Sequence, residues 1–442
     1  MYDSWMNKPN EYNSESQIEQ RRQRQQMDAE QLANFQLTRV NQLIAGILPQ
    51  NAFYASKLGQ FQFPLESLEA FSQLPFTFKH ELAGDNSTDG FANNLTFPVD
   101  HYTRLHRTSG TRGRPMVVLD TNQDWDWWIG AWQYVLDAAE IDASDRVVMA
   151  FSFGPFIGFW SAFEAVIARG ALATPAGGMN TIARLELIRS NKATAIFCTP
   201  SYALHMAEVA RENQINVSDS PVRVIVVAGE PGGSLPAVRD QIESFWNAKV
   251  IDHSGASEVG PWGFSDPLQR GVYVNEADFI AEFLSINSGE PADEGELAEL
   301  VLTSLGRQGC PVIRYRTGDL VRPTWNDDQE SRFVLLQGGV LGRTDDMMII
   351  RGVNIFPSSI EQILRSFPEV LEFRLTAYKR GSMDEIKVEV EDRLNDPDRI
   401  VTELQLRLGL RVDVETVEIG SLPRYELKGN RFVDNRNQIQ SE

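Results

Sequence analysis

The run TAIFCTPSYALHMAEVARE at residues 194–212, continued by VRVIVV at 222–227, PAVRDQIESFW at 236–246 and KVI at 249–251, decides the architecture. Short β-branched runs alternate with segments whose apolar residues recur at helical spacing. The same rhythm starts upstream, with a strand over Val147–Phe151 and a helix over Trp160–Arg169, and continues with a strand over Thr194–Cys198, a helix over Ser201–Glu212, a strand over Val222–Val227, a helix over Pro236–Trp246 and a strand over Lys249–Ile251. Strand, helix, strand in this order predicts βαβ units and a mostly parallel sheet covered by helices.

Outward from this block the pattern changes. Glu296–Thr303 and Phe333–Gln337 read as strands of a more antiparallel part, and the doublet Gly338-Gly339 followed by Gly342 marks a boundary. Beyond it, a strand over Met347–Ile350, a helix over Pro357–Ser366, strands over Glu372–Tyr378 and Glu385–Glu391, a helix over Asp398–Leu408 and a strand over Val412–Glu418 predict a small α+β domain. Toward the N-terminus, Leu32, Phe35, Val40, Leu43, Ile44 and Ile47 share one face of a helix over Met27–Leu48, preceded by a Gln/Asn/Arg-rich leader that reads as solvated and partly disordered. The expectation is an α/β chain with a large N-terminal domain of several subdomains at residues 1–341, of which 1–26 are the leader, and a small C-terminal domain at residues 342–442.

Composition bounds the function. The 442 residues are 42% hydrophobic, and 41 Lys+Arg against 61 Asp+Glu leave a net charge of −20. Such a chain repels a phosphate backbone or an anionic bilayer, so neither nucleic acid nor a membrane is expected as a partner. An anionic ligand needs local cations or a metal. Two cysteines, Cys198 and Cys310, without CxxC spacing fit a reducing, cytoplasmic setting and exclude a disulfide framework. The N-terminus has no apolar signal-peptide core, and the most apolar stretch, Val147–Phe163, is interrupted by Gly154-Pro155 and Gly158.

Five segments can carry chemistry. Thr108-Ser109-Gly110-Thr111-Arg112-Gly113-Arg114-Pro115 has the glycines, hydroxyls and cations of a phosphate-cradling loop, without the GxxxxGK[ST] pattern. Asp252-His253-Ser254-Gly255-Ala256-Ser257-Glu258 puts a carboxylate after a parallel strand, where α/β proteins bind ligands and where one carboxylate plus phosphates can hold Mg²⁺. Tyr315-Arg316-Thr317-Gly318-Asp319 offers a carboxylate suited to vicinal hydroxyls. Gly342-Arg343-Thr344-Asp345 precedes Arg351-Gly352-Val353-Asn354, and Lys428 lies in a loop between Pro423 and Gly429. Taken singly, each is also what an ordinary turn or charged linker looks like.

In this order and spacing, together with Leu74-Pro75-Phe76-Thr77, the segments resemble the phenylacetate-CoA ligase family of the adenylate-forming superfamily. The resemblance implies ATP, Mg²⁺ and coenzyme A as cofactors and co-substrates. It puts Ser109, Gly110, Thr111, Arg112, Gly113 and Arg114 on the ATP phosphates, Gly229, Glu230 and Pro231 beside adenine and the acyl group, and Asp252, His253, Ser254, Gly255 and Ser257 in the nucleotide site. Glu258 becomes the Mg²⁺ ligand, Asp319 the ribose carboxylate, Arg343 a ribose and phosphate contact, Asp345 the hinge of a mobile C-terminal domain, and Lys428 the lysine that steadies charge during adenylation.

It further implies that Arg351, Gly352, Val353 and Asn354 face coenzyme A, and that Phe151, Phe153, Phe156, Ile157 and Trp160 line a pocket for an aryl or arylacetic acid. The implied reaction converts a carboxylate and ATP to acyl-AMP and pyrophosphate, then passes the acyl group to the thiol of coenzyme A. Transfer to a separate carrier protein or an amine, or a nucleotide-binding pseudo-enzyme, are the alternatives, and a homodimer is left open. The family's loop lysine is Arg114 here, and two departures stand out: Ser254 replaces an aromatic residue, and the metal-binding cysteine cluster of some relatives is absent, since the chain has only two cysteines.

Overall fold

The computed structural model describes residues 12, 14–83, 90–108, 116–325, 331–346, 348–350, 353–380, 383–424 and 431–436. Its centre is a nine-stranded sheet in which Lys249–Ala256, Val224–Val227, Ala195–Cys198, Arg146–Met149 and Leu172–Pro175 run parallel, in that spatial order. Val224–Val227 and Ala195–Cys198 are buried along their whole length. That is the environment β-branched runs without polar alternation require, each buried Val or Ile contributing roughly 1.5–3 kcal/mol. Helices Ile157–Arg169, Thr181–Ser190, Pro200–Glu212 and Pro236–Trp246 fill the crossovers.

The strand expected over Lys249–Ile251 continues to Ala256. Its first half pairs in parallel with Val224–Val227; its second half turns to antiparallel pairing with Gly260–Ser265, with a register irregularity between Ser254 and Ala256. Gly260–Ser265, Gly271–Val274 and Leu335–Gln337 extend the sheet antiparallel from there. One long strand therefore carries the parallel half into an antiparallel half, and the Asp252–Glu258 segment lies at the changeover.

A second, four-stranded antiparallel sheet is formed by Phe279–Ser285, Ala298–Ser304, Tyr315–Val321 and Gly342–Arg343. The two strands expected to share one antiparallel part thus belong to different sheets: Ala298–Ser304 to this one, Leu335–Gln337 to the large one. Residues 348–436 have their own core, with Ile360, Phe373, Val388 and Leu404 almost fully buried between the hairpin Val370–Arg380/Met383–Asp392 and helices Pro357–Arg365 and Pro397–Leu408.

The leader departs from expectation. Glu15–Gln25 is a helix capped by Ser14, and its Arg21 is buried against Asp137 at 2.5 Å, the same carboxylate that Arg169 binds. A charge-rich, apolar-poor segment is thereby anchored by ionic contacts rather than by an apolar face, which no hydrophobic periodicity reveals. Among the described residues, no helix is long and apolar enough to cross a membrane.

Candidate active site

The site gathers where the changeover strand, the four-stranded sheet and the start of the C-terminal part meet. Glu258 follows the changeover strand and is buried. Its Oε1 lies 2.9 Å from Lys79 Nζ and 3.4 Å from the Tyr315 hydroxyl, which donates to it. Burial opposes ionisation of Glu258, yet the charges of Lys79 and, farther away, Arg343 hold its carboxyl below the ordinary range. The Tyr315 hydroxyl is pushed well above its usual value by burial and by Glu258 itself, so it stays a proton donor.

Asp319 and Arg343 face each other across the antiparallel pair Tyr315–Val321/Gly342–Arg343, where the two residues are direct partners. Arg343 Nη1 donates to Asp319 Oδ1 at 2.7 Å, and Nη2 lies 3.3 Å from Asp345. Gly318 between them has φ +76°, and a Cβ there would fall 2.9 Å from the Arg343 guanidinium. Only glycine satisfies both the backbone and the close approach. A cavity of about 540 Å³ opens beside this pair, lined by Lys79, Arg316, Gly318, Arg343, Asp345 and Phe356. Its size suits a nucleotide-scale ligand, and its cations supply locally what a chain of net charge −20 lacks globally.

The remaining expected residues divide into three groups. Gly229, Glu230 and Pro231 form the turn after Val224–Val227, and Glu230 accepts from the Ser201 N–H at 2.8 Å, at the start of helix Pro200–Glu212. Arg431 in the C-terminal part approaches Glu230 to 4.0 Å and grips Glu372 at 2.6 Å. Ser254, Gly255 and Ser257 are partly exposed on the changeover segment.

Asp252 and His253, the other two residues expected in the nucleotide site, precede Ser254 on the same strand. Both are buried. Asp252 accepts from the Ser234 hydroxyl at 2.5 Å, and burial raises its pKa to about 6. The His253 ring lies 4.0 Å from Trp132, with Nδ1 2.7 Å from the Gly263 carbonyl, and burial lowers its pKa to about 4. A strand presents alternate faces, but both faces of this sheet are covered here, so these polar side chains serve the packing.

The five aromatic and aliphatic residues expected around an acyl group do not line the 540 Å³ cavity. Phe151 and Ile157 belong to the main core, Phe151 stacking on Phe159 at 3.7 Å. Phe153 is partly buried and meets Trp160 edge-on at 5.0 Å; Trp160 donates its indole N–H to the Gly154 carbonyl, and Phe156 is partly buried in the same turn. Ser109, Gly110, Thr111, Arg112, Gly113, Arg114, Arg351, Gly352 and Lys428 lie outside the described residues. Val353 and Asn354 begin the short strand Val353–Ile355, paired with Met348–Ile350.

Two residues on this site escape sequence reasoning. Lys79 lies just past Leu74-Pro75-Phe76-Thr77, in helix Lys79–Ala83, and only the fold brings it to Glu258. Arg307 donates to the backbone carbonyls of Ser257 and Glu258 from fifty residues downstream. The first had a signal, a lysine next to a quoted motif; the second had none. Both cysteines are buried, and burial raises their thiols, Cys310 to about 12 and Cys198 further.

Glu258 also fits a divalent ion. Among the described residues no three His, Cys, Asp or Glu side chains cluster as a protein-only cage, whereas one ionised carboxylate completed by phosphate oxygens is the usual way Mg²⁺ is held.

Known proteins resemble this chain over most of its length. Residues 352–436 match the family model of the AMP-binding enzyme C-terminal domain. The phenylacetate-coenzyme A ligase of Escherichia coli (strain K12) is 34% identical over 383 residues, covering 83% of this chain and 86% of the relative. That of Thermus thermophilus is 31% identical, covering 82% of each. Among solved structures, a 2-hydroxyisobutyryl-CoA ligase in the postadenylation state with 2-HIB-AMP superposes with TM-score 0.86 at 28% identity, over 93% of this chain and 91% of that one. Against the same ligase in its thioesterification state with CoA, at the same identity and over 94% and 92% of the chains, the TM-score is 0.69. Sequence divergence cannot account for that drop. The two scores differ between two states of that one ligase.

Proposed function

Since the chain belongs to the phenylacetate-coenzyme A ligase family, we propose that it activates a carboxylic acid, of aryl or arylacetic type, as acyl-AMP and then transfers the acyl group to coenzyme A. The carrying observation is the convergence of Glu258, Tyr315, Asp319 and Arg343 beside one cation-lined cavity, in a chain 34% identical to a phenylacetate-coenzyme A ligase.

In the first half-reaction the substrate carboxylate oxygen attacks the α-phosphorus of ATP and the bond to the β-phosphate oxygen breaks, giving acyl-AMP and pyrophosphate. Asp319 accepts from the ribose hydroxyls in this reading, and Arg343, which bonds to Asp319 and Asp345, bridges ribose and phosphate. Mg²⁺ on Glu258 would neutralise phosphate charge. Lys79, whose side chain is about half exposed, then turns from Glu258 toward the phosphates. Lys428 and the loop at 109–114 add cations at the α- and γ-phosphates. The protein's contribution is positioning and fixed charge rather than covalent chemistry.

In the second half-reaction the coenzyme A thiol displaces AMP. The reading divides the chain into residues 1–341 and 342–442, with rotation about Asp345 withdrawing Lys428 and bringing the 351–354 loop to the thiol. The difference between the two superpositions supports such a movement. The enzyme acts on small molecules in the cytoplasm, where ATP and coenzyme A are both present.

A carboxylate panel tests this. Phenylacetate and related aryl acids should support ATP–pyrophosphate exchange, and added coenzyme A should give the thioester. Exchange without a coenzyme A thioester would shift the acceptor to a carrier protein or amine; no exchange with any acid would point to a nucleotide-binding protein without ligase activity.

A further inference from the structure

The interior beneath Glu258 contains an ionic network that ordinary packing does not require. Arg307 is fully buried, as is Asp120, and the two form a bidentate pair at 2.8 and 2.9 Å. The remaining guanidinium nitrogen, Nη1, donates to the carbonyls of Ser257 at 2.8 Å and Glu258 at 3.1 Å, while the guanidinium lies 5.4 Å from the Trp128 ring centre. Asp120 also accepts from Trp128 Nε1 at 3.3 Å and sits 3.9 Å from His106 Nδ1. His106 and Asp120 lie on the paired strands Arg104–Arg107 and Val117–Asp120, which flank residues 108–116. Gly306 lets the chain pass close enough: a Cβ there would fall 2.2 Å from Trp127.

A fully buried ion pair contributes little net stability compared with apolar residues of the same volume. This one does something apolar residues cannot: it joins the strand Val117–Asp120 to two consecutive carbonyls, one of them Glu258's own. We propose that Arg307, held by Asp120, is a positioning residue for adenylation that sets the Glu258 carboxylate relative to the strand pair Arg104–Arg107/Val117–Asp120. The proposal rests on the ligase reading above. Arg307 touches neither substrate nor metal; it fixes the peptide from which the carboxylate projects, as residues behind a metal ligand do, where loss typically costs ~10–100-fold in metal affinity or activity.

The test compares Arg307→Gln, which leaves Asp120 charged, with the double variant Asp120→Asn/Arg307→Gln, which leaves no unpaired buried charge and should fold. Asp137→Asn, which breaks the remote Arg21/Arg169 contact, serves as the stability control. Binding of Mn²⁺ in the presence of ATP is followed by electron paramagnetic resonance, alongside both half-reactions. Both Arg307 variants should weaken Mn²⁺ binding ~10-fold and slow acyl-AMP formation ~10–100-fold, with thioester formation from supplied acyl-AMP changed less than about threefold. Asp137→Asn should lower the melting temperature and leave Mn²⁺ binding unchanged. Unaltered Mn²⁺ binding in the double variant, or equal losses in both half-reactions tracking the melting temperature, overturns the proposal. A wild-type protein inactive in exchange would instead defeat the ligase reading.

Discussion

The two faces that meet at the site are built differently. On the side of the four-stranded sheet, Glu258, Tyr315, Asp319 and Arg343 are set by strand pairing and by contacts that are short or buried. On the side of the C-terminal part, Arg431 reaches Glu230 at 4.0 Å, and Gln241 donates to the Arg365 carbonyl at 3.4 Å. The first face is preorganised, because a nucleotide must be received in one geometry. The second combines these long polar contacts with one short hydrogen bond, from the Ser358 hydroxyl to the Leu341 carbonyl, and polar contacts of this kind can be exchanged for others without breaking a core. A chain that must run two half-reactions at one centre needs one face fixed and the other releasable.

That contrast can be broken at several points. The largest expected effect belongs to Lys428→Ala: acyl-AMP formation should fall ~10²–10³-fold, the scale of removing one charge-stabilising donor, while thioester formation from supplied acyl-AMP changes only a few-fold. Equal losses would mean that the lysine serves both arrangements and that no exchange of faces occurs. On the fixed face, Asp319→Asn should raise the KM for ATP ~10–100-fold, as expected for a charge-assisted hydrogen bond worth roughly 1.5–3 kcal/mol, with the KM for the acid little changed.

The core beneath that face makes a pH prediction. His253 has a folded pKa of about 4 against an ordinary 6.5, so the fold favours the neutral ring. Its contribution is fully present above pH 6.5 and is lost as pH falls toward 4. Between pH 7 and 5 the stability should drop by about 2 kcal/mol from this group alone. Asp252 and Glu276, raised to about 6 and about 7, gain stability over the same range, so the test is a difference: from pH 7 to 5 the urea midpoint of His253→Gln should fall less, or rise more, than that of the wild type, and parallel slopes would place the titration elsewhere. The smallest effect is expected on the releasable face. Glu230→Gln removes the charge from a 4.0 Å contact while an amide oxygen can still accept from the Ser201 N–H, so it should shift the balance between half-reaction rates only about two- to fivefold, the scale of one modest hydrogen bond, favouring thioester formation. A much larger loss would show that this face is fixed too.

Legibility followed sequence distance. The parallel strands and their crossover helices could be read because each is a local pattern, and the expected helix over Pro236–Trp246 matches the structure residue for residue. Glu258, Asp319 and Arg343 were legible as ordered motifs, and strand register brings Asp319 and Arg343 together as their chemistry needs. Arg307 and Asp120 were not, because 187 residues separate them and neither lies in a patterned segment. His253 sits inside a legible motif, but that its side chain enters the core beside Trp132 is not written there. The helix Glu15–Gln25 was missed because Arg21 docks it by charge, where hydrophobic periodicity is silent.

The burial of Cys198 and Cys310 has a chemical consequence. An acyl-AMP is a mixed anhydride that acylates any thiolate it meets, and the enzyme must hold it until the intended thiol arrives. Thiols that are inaccessible, with ionisation pushed to about pH 12 or beyond, present almost no thiolate at neutral pH. The protein's own sulfur is thereby withdrawn from the competition, and the intermediate can wait beside it without acylating its maker.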